Sequence, residues 1–184
     1  MRSLFKLSIL PLLGIVLASC GGSNGDNSWV HYTSPQGAFS VSFPSQPKTS
    51  EKTEVTAFGK QVVHFVTWRP KTFSIDKFKL FEVSYTDCPA RFISDSLMTD
   101  IMLDSSIRIR KRDFTDRDIS TQPIDLNGYP GRSFMYEIPH DNNEVIVKQC
   151  ITNNRRYDLV VIARRDQGTN PEIAEFFNSF TALK

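Results

Sequence analysis

Cysteine is scarce: the 184-residue chain has three, and no CxxC motif, which argues against a reactive thiol. A dominant charge of one sign is also missing. Lys and Arg total 22 against 20 Asp and Glu, so no strong field is available to attract nucleic acid or an anionic surface. Nine glycines and ten prolines are too few for a collagen-like or wholly disordered chain. No apolar run approaches the ~18 residues that mark a membrane-crossing helix. The motifs of common chemistries are lacking as well. There is no GxSxG elbow for a serine nucleophile, no HxxxH or HExxH for zinc, no DxDxDG calcium loop, and no GxGxxG or GxxxxGK[ST] loop for phosphate. The rest is ordinary globular material, 40% apolar, 23% charged and 11% aromatic, enough for one packed core.

The beginning of the chain carries the sharpest signal. Arg2 and Lys6 open it without an acid, and Leu7 to Leu17 is almost wholly apolar. A cationic start, a short apolar middle and small residues at the end are the layout of a secretory leader. Leu17-Ala18-Ser19-Cys20 then resembles the lipobox of bacterial lipoproteins. The resemblance implies removal of residues 1–19, a diacylglycerol on the Cys20 thiol, and acylation of the new amino terminus. Multiple acyl chains hold a protein firmly on a membrane where one holds it marginally. Residues 20–28 are then the lipidated cysteine and a polar tether, whose last eight residues reach about 16 Å as a flexible coil. Gly21, rather than Asp, follows the cysteine, which implies the periplasmic face of the outer membrane in a Gram-negative cell. Removal of Arg2 and Lys6 with the leader leaves 20 cationic side chains against 20 acidic ones, a neutral body that argues against electrostatic docking on lipid as its main function. The two remaining cysteines, Cys88 and Cys150, form either a disulfide suited to an oxidising compartment or two buried free thiols.

From Trp29 onward, period-two alternation dominates. Phe39-Ser40-Val41-Ser42-Phe43 reads as a half-buried strand ending at Pro44. Ser50–Phe58 and Lys60–Trp68 read as a hairpin meeting at Gly59, the second strand apolar on both faces. Phe78–Thr86 is a further strand. Gly131–Ile138, Glu144–Thr152 and Arg156–Arg164 form an antiparallel meander joined by polar turns. Two helices are expected. One lies between about Ser94 and Lys111, with Leu97, Met98, Ile101, Met102 and Ile109 inward and cations at its end. The other opens with Asn170 capping Pro171, or with a Thr169–Glu172 capping box, and buries Ile173, Phe176, Phe177 and Phe180. These elements predict a single α+β domain over residues 29–184, mainly an antiparallel sheet sandwiched by helices.

The order of short motifs agrees. Trp29-Val30-His31-Tyr32 leads to Gly37-Ala38-Phe39-Ser40-Val41-Ser42-Phe43-Pro44; Gly128-Tyr129-Pro130-Gly131-Arg132 follows a mid-chain helix. Asn154 to Val161 and Phe176-Phe177-Asn178-Ser179-Phe180 complete the series. This order resembles the PsbP-like superfamily, which includes DcrB-like bacterial envelope lipoproteins and a eukaryotic Ran-binding nuclear transport cofactor. The resemblance implies an antiparallel sheet between helices and an accessory or binding role rather than catalysis. It assigns no functional residue, and fold alone names no partner.

Among local clusters, Arg108, Arg110, Lys111 and Arg112, and separately Arg155 and Arg156, are candidates for an interaction surface. Interleaved acids and surface ion pairs explain them well enough, so a solvated face is the preferred reading and a recognition patch the minority one. Three histidines, His31, His64 and His140, share no ligand spacing. No cofactor or metal is expected. The reading is a lipid-anchored, non-enzymatic envelope protein that binds a protein partner, on the membrane through its anchor and without nucleic acid. A carrier of small apolar ligands, its cleft lined by Phe65, Trp68, Phe134 or Tyr136, is the alternative. An envelope hydrolase ranks last.

Overall fold

A computed structural model describes residues 29–56, 59–71, 77–89, 99–104, 107, 121–138 and 140–183. The chain first makes a hairpin, β1 (Val30–Ser34) and β2 (Phe39–Phe43), and the far C-terminal β10 (Thr181–Ala182) joins the other edge of β2. The remaining strands are β3 (Lys48–Thr56), β4 (Gly59–Trp68), β5 (Phe78–Asp87), β6 (Thr121–Leu126), β7 (Tyr129–Glu137), β8 (Asn143–Thr152) and β9 (Arg155–Arg164). They form an antiparallel sheet in the order β3-β4-β5-β9-β8-β7-β6. Two of its turns have an evident cause. Asn127 and Gly128 (φ 55° and 91°), and Asn153 and Asn154 (φ 51° and 58°), take the positive φ that a two-residue hairpin loop needs. Asn and Gly adopt that conformation at least cost.

One face of the large sheet holds the main core. The cross-strand row Val66, Val83 and Leu159, and the neighbouring Phe81–Val161 and Tyr85–Tyr157 pairs, lie on this side and are buried. The small sheet covers them with Phe39, Val41 and Phe43. Helix α2 (Pro171–Asn178) completes the cover with Ile173, Phe176 and Phe177. Asn170 Oδ1 caps α2 by accepting the Glu172 N–H at 3.0 Å, and Pro171 fills the first turn, where no N–H is required. Ser179 ends the helix and accepts the Ser42 N–H at 2.9 Å, tying α2 to β2.

The opposite face packs on a short helix, α1, at 99–104. Met102 and Leu103 lie with Cys88 and Ile151, while Ile107 meets Leu80, Phe134, Tyr136, Val145, Val147 and Val160. Fully buried Gln149 donates to the Leu103 carbonyl at 2.7 Å, and Arg132 holds Asp100 and Asp104 at 2.7 and 3.3 Å. A buried amide left unpaired would cost about 1–3 kcal/mol, so the Gln149 bond fixes where α1 sits.

The expected α+β sheet sandwiched by helices is corrected. Antiparallel pairing holds, but the chain is mostly strand, in two antiparallel sheets, and the main core lies largely between them. The physical reason is the β1–β2 hairpin, whose Phe39, Val41 and Phe43 cover the core face where helices were expected, with β10 filling the other edge of β2. Two residues carry no periodic pattern of their own, yet Thr181 and Ala182 pair with Ser40 and Phe39 and complete a separate sheet. The expected mid-chain helix is also turned: Ile101 is exposed, and Leu103 rather than Ile101 is buried beside Met102. Its Leu97, Met98 and Ile109 fall outside the described residues.

Candidate binding site

At the end of the sheets reached by the β1–β2 turn, the two layers part into a cleft of about 300 Å³. Its floor comes from the cross-strand pair His64 and Tyr85, neighbours on β4 and β5 that must share a face. Their rings stack at 4.7 Å with an interplanar angle of 15°. Tyr32 and Gln36 of the small sheet and its turn, and Glu51 of β3, form the rim. Glu51 stands opposite His64, with Oε2 3.5 Å from Nδ1.

Arg155 braces this arrangement. Its guanidinium lies 5.0 Å from the Tyr85 ring centroid, bonds Asp87 at 2.6 Å and donates to the Gln36 carbonyl at 2.8 Å. Burial pushes the Tyr85 phenol up, while Ser34 and Arg155 pull the other way, so it is neutral at physiological pH. Ser34 accepts the Gly37 N–H at 2.9 Å as well as contacting Tyr85. The cleft therefore offers an aromatic floor, phenol and imidazole hydrogen-bonding groups and one carboxylate. Such a set has the chemistry to hold a polar or planar group; the Ser34 hydroxyl at its edge is already engaged with the Gly37 N–H and the Tyr85 phenol.

A wider hollow of about 700 Å³ adjoins the cleft, sharing Thr49, Ser50 and Phe65 with it, and extends over the other face of the β3–β4 hairpin to Lys48, Thr67, Arg69, Lys71 and Glu82. Glu82 accepts the Thr67 hydroxyl at 2.9 Å and keeps its charge, but Lys48, Arg69 and Lys71 outnumber it, so the hollow is predominantly cationic.

The residues singled out from sequence are dispersed. Cys20, Arg108, Arg110, Lys111 and Arg112 lie outside the described residues. Arg155 belongs to the cleft, whereas its neighbour Arg156 points to the opposite face and pairs with Asp158 at 3.3 Å; alternation along a strand keeps the two from forming one patch. Cys88 and Cys150 are both free and buried. Cys150 pairs with Tyr157 on the main-core face, while Cys88 packs with Ile151 and Met102 on the other, so the sheet itself separates the thiols. Burial, with Asp158 nearby, pushes the Cys150 thiol up to about 12; burial also raises Cys88, with Arg156 opposing. His31 on β1 and His140 in a turn are exposed and stand apart from the His64 cleft. No group of three metal-ligating side chains occurs among the described residues. The aromatics suggested for a carrier do not share a cavity. Phe134 and Tyr136 are core, and Phe65 and Trp68 face opposite sides of β4.

The cleft itself was invisible in the sequence. His64 shares the alternating face of Val62 and Val66, but its stacking partner is 21 positions away and is specified by strand register.

No protein-family model and no curated protein matches the chain. Solved structures do resemble it. Cyanobacterial PsbP (CyanoP) from Synechocystis superposes with a TM-score of 0.56 at 14% identity, covering 91% of this chain and 99% of that one. A Bacteroides thetaiotaomicron protein superposes with a TM-score of 0.50 at 13% identity, covering 84% of this chain and 48% of that one. The fold is PsbP-like. At such identities the likeness concerns the fold alone.

Proposed function

We propose that this is a lipid-anchored accessory protein of the bacterial cell envelope, non-enzymatic, whose body binds a protein partner through the cleft between its two sheets. The observation that carries the reading is the cleft: a stacked His64–Tyr85 floor with a Glu51 rim, braced by Arg155, is built for recognition. Leu17-Ala18-Ser19-Cys20 supports the anchor, and the accessory character of the family that the chain resembles supports the role. Because Glu51 is exposed, replacing it changes the rim's charge while leaving the core alone.

The test is crosslinking in intact cells followed by affinity capture, comparing the natural chain with Cys20→Ala and with Glu51→Lys. The reading expects one reproducible envelope protein, diminished in both variants. Turnover of a substrate at enzymic rates by the purified body would refute the non-enzymatic role. Capture indifferent to both substitutions would refute the anchored-cleft account.

A further inference from the structure

We propose that the end of the body where the chain enters, at Trp29, rests on the membrane surface, with its tryptophans and a lysine–arginine cluster against the headgroups of an anionic bilayer. The proposal rests on the lipid-anchored reading and adds an orientation to it. Both tryptophans of the chain, Trp29 and Trp68, lie at this end. Each meets Phe81 edge-on with ring centroids 5.6 Å apart, and with Pro44 and Phe78 they line a shallow cleft of about 150 Å³. Both are only partly buried. Tryptophan favours the headgroup layer because its ring is a large, polarisable apolar surface with a polar edge; here the ring surface of Trp68 is what it offers lipid, since its N–H is engaged within the protein.

The cations stand beside them. Trp68 donates from Nε1 to Ser45 Oγ at 2.7 Å, and Ser45 borders the hollow that holds Lys48, Arg69 and Lys71. These three and Lys77, next to Phe78, are exposed. Among the described residues, the acids near them are Glu82, which accepts the Thr67 hydroxyl, and Glu172. Arg164 and Arg165, at the β9 end of the same side, are paired with Asp166 and Glu137. The body is formally neutral, yet among the described residues charge is unevenly placed: four cations, Lys48, Arg69, Lys71 and Lys77, stand near the tryptophans against two acids, Glu82 and Glu172. Neutrality of the whole therefore does not prevent a local attraction to anionic lipid.

The anchor favours this end as well. Eight residues separate Cys20 from Trp29, so the surface next to the entry point is held at high effective concentration near the bilayer and weak contacts suffice. The orientation also has a use. β1 runs from this end toward Gln36, so docking Trp29 on the membrane leaves the Gln36 rim of the His64–Tyr85 cleft at the far end of the strand, open to a partner, while the Thr49–Ser50 wall of the cleft adjoins the cationic hollow.

The chain's own tryptophans are the probe. Mature lipidated protein is placed in vesicles of phosphatidylglycerol and phosphatidylcholine, with either brominated or ordinary acyl chains. Flotation with the vesicles tests the anchor, and loss of tryptophan emission on bromination tests docking. The expected result is quenching that weakens in phosphatidylcholine alone, in high salt, and in a Lys48→Glu, Lys71→Glu double variant that still floats. The salt series needs no folding of the variant. Protein that floats with equal emission in both lipids overturns the docking while sparing the anchor. Protein that does not float overturns both.

Discussion

Phe39 is the side chain through which the small sheet grips the large one, and its truncation has a calculable cost. The ring is fully buried, with centroids 5.8 Å from Tyr85, 5.9 Å from Tyr157 and 5.9 Å from Phe180. A buried phenylalanine removes about 150–250 Å² from water, and at about 25 cal/mol per Å² that is roughly 4–6 kcal/mol for the whole side chain. The β-carbon survives in Phe39→Ala, but a cavity lined by three aromatic rings replaces the rest. Measured truncations of this kind cost about 3–5 kcal/mol. Against an ordinary domain stability of about 5–15 kcal/mol, the variant sits close to the threshold of folding. Urea titration followed by near-ultraviolet circular dichroism measures the change through the midpoint. An unchanged slope would show that the unfolded state is the same. A loss below about 1 kcal/mol would refute the reasoning, because a cavity of that lining cannot be so cheap.

Other outcomes follow from the same geometry. Glu144 is buried on β8 opposite Glu137, and burial first, then Glu137, pushes its carboxyl above the ordinary 4.5. The folded state holds that proton more tightly, so the associated stability is present in acid and lost as pH rises through the folded pKa. Glu144→Gln should therefore raise the urea midpoint at neutral pH, with the advantage vanishing below about pH 4; no gain at neutral pH would contradict this. Cys150 should resist iodoacetamide at pH 8 in the native protein and react only after unfolding, since its thiol is buried and pushed up to about 12. Labelling of the native protein at the rate of a free cysteine would exclude the observed packing. Asn170→Ala should cost about 1 kcal/mol by removing the α2 cap, read from the thermal midpoint, with no change meaning the cap is idle. Gly131→Ala places a Cβ against the Gln149 carbonyl across the β7–β8 pair and should destabilise by about 1–3 kcal/mol in urea. A neutral result would mean the strands separate easily there.

Local patterns were readable wherever a strand or helix is stabilised by its own periodicity. Alternation located β2, β5 and β7, Gly59 and the polar turns around 140–143 and 153–154 marked β4, β8 and β9, the Asn127-Gly128 turn announced a hairpin, and Asn170-Pro171 announced α2. What escaped depends on distant partners. β10 exists because β2 offers it an edge, and it completes the small sheet that the β1–β2 hairpin begins. The rotation of α1 is set by Gln149, 46 positions from the Leu103 carbonyl it binds. The cleft needs the β4–β5 register to stack His64 on Tyr85, and it needs Arg155 to reach back to Gln36 across 119 positions. Spacing along one segment carries none of this information. The charged runs were legible only as composition. In the structure Arg155 and Arg156 diverge, whereas Lys48, Arg69 and Lys71, scattered in sequence, gather at one hollow.

The central claim is that the cleft between the sheets is where a partner binds. A photo-crosslinking side chain at exposed Gln36, on the cleft rim, tests it in intact cells, with the same probe at exposed Thr121 on the distant edge strand β6 as the comparison. The account predicts one discrete adduct from position 36, absent from position 121 and lost when Glu51→Lys is added. Equal adducts from both positions, or none from position 36, would contradict it.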